Sequence, residues 1–234
     1  MQTALLEKLL KAKAERRPMV LATRLQDGLQ ALVFADTAEG PLAGDEVVVE
    51  AARQALLDDR SGVVETGVGK IFVHAHVPAP RLIVVGAVHI AQALVPMAAM
   101  AGYAVTVIDP RRAFASDSRF PNVTVMTDWP DEALEALKPD RATAVVTLTH
   151  DPKLDDPALI AALKSDCFYI GALGSKRTHE KRLARLTEAG MTPAQMARIH
   201  GPVGLNIGAL SPAEIAVSIV GQITQVRRRK PEAA

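Results

Sequence analysis

The chain has 234 residues, 49% of them hydrophobic but only 3% aromatic, and 27 basic against 26 acidic side chains give a formal charge of +1. That length fits one large or two small domains around an aliphatic core. So balanced a charge steers the protein to neither nucleic acid nor an anionic membrane, and so few rings leave little to stack bases on. No apolar run approaches the ~18 residues of a membrane span. The N-terminus is charged throughout, unlike a secretory signal. A lone cysteine, Cys167, excludes a disulfide framework or a cysteine metal cluster. A cytoplasmic protein is expected.

Leu5, Leu6, Leu9 and Leu10 mark a first helix that ends in a basic turn before Pro18. "MVLATRL" and "LQALVFA" read as a strand pair joined at Asp27-Gly28, a favoured hairpin turn. A helix over 47–57 and short strands near 61–65 and 71–75 complete a small α+β N-terminal domain, residues 1–77. "HVPAPR" then favours an extended linker.

From residue 78 to 234 the pattern changes. "LIVVG" is continuously apolar, as suits a strand buried on both faces, and Ile90, Leu94, Met97 and Ala101 follow at helical spacing around Pro96. "AVTVID", "VTVMT", "TAVVTLT" and "CFYIGALG" read as further strands, with Cys167 inside the last as an inert core thiol. Between them fall helices near 131–137, from Pro157 behind a cap at Asp156, and over 175–189. Ser211, Pro212 and Glu214 form a full start signal for a last helix striped by Ile215, Ile219, Ile223 and Val226. The run Arg227 to Lys230 reads as its solvated end. Alternating strands and helices predict an α/β fold, a Rossmann-like doubly wound parallel sheet behind the small α+β domain.

In such sheets ligands meet the loops at the carboxyl ends of the strands, which selects four places. Gly86-Ala87-Val88-His89 opens a helix whose N–H groups suit a phosphate. Val88 stands where the dinucleotide fingerprint has its second glycine, and its Cβ takes space needed for close approach of a pyrophosphate. Asp109 comes 23 residues after Gly86 (109 − 86), where a carboxylate holds a ribose, with Arg111 beside it for a phosphate. Thr149, His150 and Asp151 follow a buried strand. Gly171, Gly174, Ser175 and Arg177 form another anion-shaped junction, and His200, Gly201, Gly204 and Gly208 lie in a glycine-rich loop that invites close backbone contact. There is no G-x-S-x-G, no HExxH, no Cys/His metal pattern and no GxxxxGK[ST], so neither a catalytic set nor a metal site is expected.

Together these stretches, "VVGAVHIAQAL", "GYAVTVIDPR", "RFP", "LTHDPKLDDPAL", "YIGALGSKRTHEKRL" and "IHGPVGLNIGALSPAEIAVSI", resemble the XdhC/CoxI family over roughly residues 81–226. That family comprises accessory factors of xanthine dehydrogenase and related molybdenum hydroxylases. The resemblance implies a chaperone more than an enzyme: it binds molybdenum cofactor (molybdopterin), assists its sulfuration and delivers it to an apo molybdenum hydroxylase. A cysteine desulfurase is an implied partner, and a homodimer has surfaces in the aliphatic last helix and the N-terminal segment. The competing expectation is an NAD(P)-binding oxidoreductase. Two departures stand out. Relatives commonly read Gly-Ala-Gly-His where this chain reads Gly86-Ala87-Val88-His89. Many also carry an N-terminal Ser-Gly-Gly-Cys element, for which the nearest stretch here is Gly44-Asp45-Glu46, without a cysteine.

Overall fold

The computed structural model describes residues 3–115 and 118–228 of the chain, which divide into two compact units on either side of Pro78 and Ala79. Met1, Gln2, Arg229 and Lys230 lie outside the described residues.

In the first unit, helix α1 (Thr3–Ala14) is followed by strands β1 (Met19–Arg24), β2 (Gln30–Val33) and β3 (Ala38–Glu39), helix α2 (Glu46–Asp58), and strands β4 (Gly62–Thr66) and β5 (Gly69–His76). The strands form an antiparallel sheet in the order β3-β2-β1-β5-β4. Alternation along β1 sorts its side chains. Val20 and Ala22 join Val48, Ala52 and Ile71 beneath α2, whereas Met19 joins Leu5, Leu9 and Leu32 beneath α1. Asp45 caps α2 by accepting the Val47 and Val48 N–H groups. The hairpin is wider than the expected two-residue turn. Arg24 grips the Asp27 carboxylate at 2.7 Å, Gly28 takes φ +72°, and the Arg24 N–H donates to the Leu29 carbonyl. On β5, His74 and His76 lie with ring centroids 4.0 Å apart.

The second unit carries β6 (Arg81–Val85), α3 (His89–Met100), β7 (Ala104–Ile108), β8 (Thr124–Met126), α4 (Pro130–Leu137), β9 (Thr143–Thr147), α5 (Pro152–Lys164), β10 (Tyr169–Ala172), α6 (Lys176–Glu188), α7 (Pro193–Met196), β11 (Ile199–His200) and α8 (Pro212–Arg228). Its strands are all parallel, in the order β8-β7-β6-β9-β10-β11. Numbered within the unit that is 3-2-1-4-5-6, the order of the doubly wound dinucleotide-binding sheet. Leu82 and Val84 point into one aliphatic layer with Ala91, Leu94, Ile219 and Ile223 of α3 and α8. Ile83 and Val85 point into the other, with Leu134, Leu159 and Leu186 of α4, α5 and α6. The central strands are therefore buried on both faces, which their unbroken apolar runs reflect.

Several expectations are corrected. α5 begins one Asp-Pro earlier than read, with Asp151 as cap, accepting the Lys153 N–H at 2.9 Å, and Pro152 at its first turn; Pro157 lies inside the helix. Cys167 precedes β10 instead of lying within it, though it is buried. Ile199-His200 is a short edge strand in a segment that shows no period.

Burial, and then the charges of His74 and Lys13, pull the His76 pKa down from 6.5 to about 4. As pH falls through 6.5 the unfolded chain gains a proton at this site that the fold refuses, so stability is lost between pH 6.5 and about 4. His76→Gln is expected to shrink the drop in urea-unfolding midpoint between pH about 7.5 and about 5; an unchanged drop would assign that sensitivity elsewhere.

Candidate functional site

The strand order reverses between β6 and β9, and at that point an open α/β sheet leaves a crevice beyond its carboxyl ends. Two loops meet there. Gly86 takes φ +110°, and a Cβ on it would fall 2.7 Å from Thr149 Cγ2 and 3.2 Å from the Thr149 nitrogen. The glycine thus serves the turn and the close approach of the β9 loop.

Asp109, fully buried at the end of β7, holds this corner. Its carboxylate accepts the Ala87 N–H at 2.8 Å, the Arg111 N–H at 3.0 Å and two guanidinium N–H groups of Arg111 at 2.9 and 2.8 Å. Burial alone would raise its pKa, but the Arg111 and backbone hydrogen bonds prevail and hold it below the usual carboxylate value. The oxygens of Asp109, expected to hold a ribose, are thus engaged by Ala87 of the glycine loop and by Arg111. Arg111 is likewise spent, bidentate on Asp109 and 4.6 Å above the Phe114 ring.

Val88, the odd residue of the fingerprint, is the N-cap of α3 and packs partly against the aliphatic layer beneath that helix. It offers no side-chain acceptor, so no side chain caps α3. The helices after β9 and β10 differ. Asp151 closes α5, and Ser175 closes α6 by accepting the Thr178 N–H at 3.1 Å. Among these three helix starts, α3 alone has no side-chain cap. His89 in its first turn is exposed, as is His150, which stands at φ +61° on the neighbouring loop.

Thr149 turns inward. Its hydroxyl donates to Asp155 Oδ1 at 2.7 Å and accepts the Asp151 N–H at 3.0 Å. Asp155 and Arg182 face each other across α5 and α6 at 3.7 Å, each side chain 2% exposed. Burial pushes the Asp155 carboxyl up despite the Thr149 hydrogen bond, and pulls the Arg182 guanidinium down. Around the pair lies a cavity of about 280 Å³ lined also by His150, Arg177, Lys181 and Arg185. The sequence reading found Arg177 and His150 but missed the others. A helical stripe, Arg177, Lys181 and Arg185 at four-residue spacing, was the available signal. Asp155 was hidden by starting its helix too late.

The remaining expected residues cluster beyond β10. A Cβ on Gly171 would fall 2.5 Å from Val203, on Gly201 2.2 Å from His179, and on Gly204 2.3 Å from Ser218 Oγ. These glycines let the loop after β11 close on β10, α6 and α8. Gly174 (φ +144°) makes the turn into α6, Gly208 (φ +75°) turns in open space, and His200 stacks on Tyr169 with centroids 4.7 Å apart. The structure brings residues 86–89, 109–111 and 149–151 together. It places His200 on the edge strand, three strands from β6 and so ~14 Å away, and turns the loop that follows back onto the end of β10 and α8.

Gly86→Ala is expected to cost about 2–4 kcal/mol in urea unfolding, from strain at positive φ and the clash with Thr149. Adding Thr149→Ser, which deletes the clashing methyl, should recover more than about 0.5 kcal/mol; independent effects would show that the two loops are not coupled.

Residues 82–223 match the XdhC Rossmann domain. The chain is 33% identical over 169 residues to the uncharacterized protein YqeB of Escherichia coli K12 (70% of this chain, 30% of that protein). It is 35% identical over 160 residues to a probable xanthine dehydrogenase subunit of Bacillus subtilis 168 (68% and 46%), and 34% over 155 residues to the molybdenum cofactor insertion chaperone PaoD of E. coli K12 (66% and 42%). It spans less than half the length of each of these relatives. A crystal structure described as a xanthine dehydrogenase from Bacillus halodurans shares the fold, with a TM-score of 0.70 at 24% identity over 98% of this chain and 65% of that one. With the parallel sheet, its strand order and the match over 82–223, the chain belongs to the XdhC Rossmann-domain family.

Proposed function

We propose that this chain is a maturation factor that carries molybdenum cofactor as cargo to a molybdenum hydroxylase of the xanthine dehydrogenase kind. The observation that carries the reading is its similarity over 155 residues to a molybdenum cofactor insertion chaperone, beside the family match over residues 82–223 that hold the β6/β9 crevice. The crevice suits such cargo. The uncapped start of α3 offers N–H donors and a partial positive charge to a phosphate, and exposed His89 and His150 flank it for the polar edges of a pterin. Asp109, Arg111 and Thr149 shape the floor from behind and do not grip the cargo. Assistance in sulfuration with a cysteine desulfurase, a homodimeric state and a cytoplasmic location belong to the same proposal. Among the described residues no helix is long and apolar enough to cross a membrane.

The NAD(P) oxidoreductase reading draws support from the strand order but has lost its ribose-holding carboxylate, because Asp109 is fully engaged within the fold. Calorimetry with NAD(H) and NADP(H) separates the two: micromolar binding would favour the oxidoreductase.

Protein purified without oxygen from cells with an active cofactor pathway is expected to release pterin, read by fluorescence after oxidation, and to raise the activity of an apo-hydroxylase. Protein that neither carries pterin nor activates any apo-hydroxylase would overturn the proposal. Val88→Ala should lower stability by about 1 kcal/mol through lost packing and leave pterin affinity within about threefold. Clearly tighter binding would mean that Val88 narrows the way in.

A further inference from the structure

We propose that the cavity between α5 and α6 is a phosphate subsite, built to take a phosphate group that still bears a proton, and separate from the start of α3. This does not depend on the identity of the cargo.

Three features of the cavity point to an anion with a hydrogen to donate. The first is a buried cation short of partners. Arg182 is 2% exposed, and only its Nη2 is hydrogen-bonded, to the Leu173 carbonyl at 2.8 Å; Nε and Nη1 have no partner. A guanidinium left so is costly, and oxygens placed against its free N–H groups recover the loss through charge-assisted hydrogen bonds. The second is the surplus of positive charge. Arg185 is balanced by Asp156, held at 2.5 and 3.0 Å, whereas Arg177 and Lys181 line the cavity with no carboxylate partner among the described residues. The third is Asp155. Its Oδ1 takes the Thr149 hydroxyl and N–H, but Oδ2, buried on a residue of the cavity wall, has no hydrogen bond, since Arg182 is 3.7 Å away.

That unpaired carboxylate oxygen makes the site selective. A fully ionised tetrahedral anion would set an oxygen against Oδ2 and be repelled. A hydrogen phosphate, or a phosphate ester that keeps its proton, donates its P–OH to Oδ2 while its other oxygens accept from Arg182, Lys181 and Arg177. At about 280 Å³ the cavity admits such a group but is smaller than ordinary sites for whole ligands. Two sources share this chemistry: the phosphate of the pterin cargo, or a separate phosphate ester.

Calorimetry of the pterin-free full chain with inorganic phosphate and with sulfate tests the proposal. Phosphate should bind saturably and sulfate at least about tenfold more weakly, a difference of about 1.4 kcal/mol. Arg177→Gln and Lys181→Gln, both exposed, should each weaken phosphate by about three- to tenfold without shifting the unfolding midpoint. Asp155→Asn, if it folds, should erase the preference over sulfate, because an amide can donate to either anion. No saturable phosphate binding, equal affinity for sulfate, or indifference to both Arg177→Gln and Lys181→Gln would overturn the proposal, and leaves the cargo reading standing. Pterin-loaded protein decides the source: loss of phosphate binding identifies the cargo's phosphate as the occupant, and retained binding identifies a separate ester, each outcome supporting the subsite.

Discussion

A carboxylate and a guanidinium buried 3.7 Å apart set the arrangement of the carboxyl edge. Asp155 reaches from α5 to the loop after β9 through Thr149, and Arg182 reaches from α6 to the loop after β10 through the Leu173 carbonyl. Two helices and two adjacent strand ends are thereby referred to one pair of side chains. Removing either partner strands the other charge in a low-dielectric layer, at a cost of about 3–5 kcal/mol. Such a pair is a weak source of net stability, but it forbids alternatives: α5 and α6 cannot slide without unpairing a buried charge.

Asp109 plays the corresponding part on the other side of the reversal. It ties the end of β7 to the glycine turn after β6 and pins Arg111 over Phe114. The turn in turn packs its one hydrogen-only residue, Gly86, against Thr149. The path from Arg111 to Arg182 is thus a chain through Asp109, Ala87 and its neighbour Gly86, Thr149 and Asp155, crossing the sheet at the place where its strand order reverses. Polar residues that a sequence reader assigns to a ligand are here largely engaged with one another.

That explains what was legible. The parallel sheet followed from the apolar runs of β6 and β9, because burial on both faces leaves no polar positions to confuse the period. The cap of α8 was legible because Ser211 and Glu214 act on their own backbone within one turn. The start of α5 was not, since Asp151-Pro152 and Asp156-Pro157 are equally good local signals, and only packing of Leu154 and Asp155 under the sheet chooses the first. Gly171, Gly201 and Gly204 misled for the same reason. A glycine that admits a ligand and one that admits Val203, His179 or a serine hydroxyl look identical in sequence, because the difference lies in a distant segment.

Function at this edge rests on the hydrogen-bonding capacity left over after the fold has satisfied itself. Asp109, Arg111, Thr149, Asp151 and Ser175 have little left, since each is committed to backbone or to a neighbour. Capacity remains at the N–H groups that Val88 fails to cap at the start of α3 and at the unpaired atoms of Asp155 and Arg182 between α5 and α6, with Thr147 Oγ1 and His179 Nδ1 also unpartnered. The first follows from a hydrophobic residue at a cap position, where Ser, Thr, Asp or Asn would have closed the helix on itself. The second follows from a pair set about an ångström too far apart to hydrogen-bond. A ligand that engages both must carry polar groups at two separated points, whereas a single small anion has to choose, and under the two proposals the places differ in what they ask of it: the helix start asks only for an anion, and the buried pair for one that can also donate a hydrogen bond.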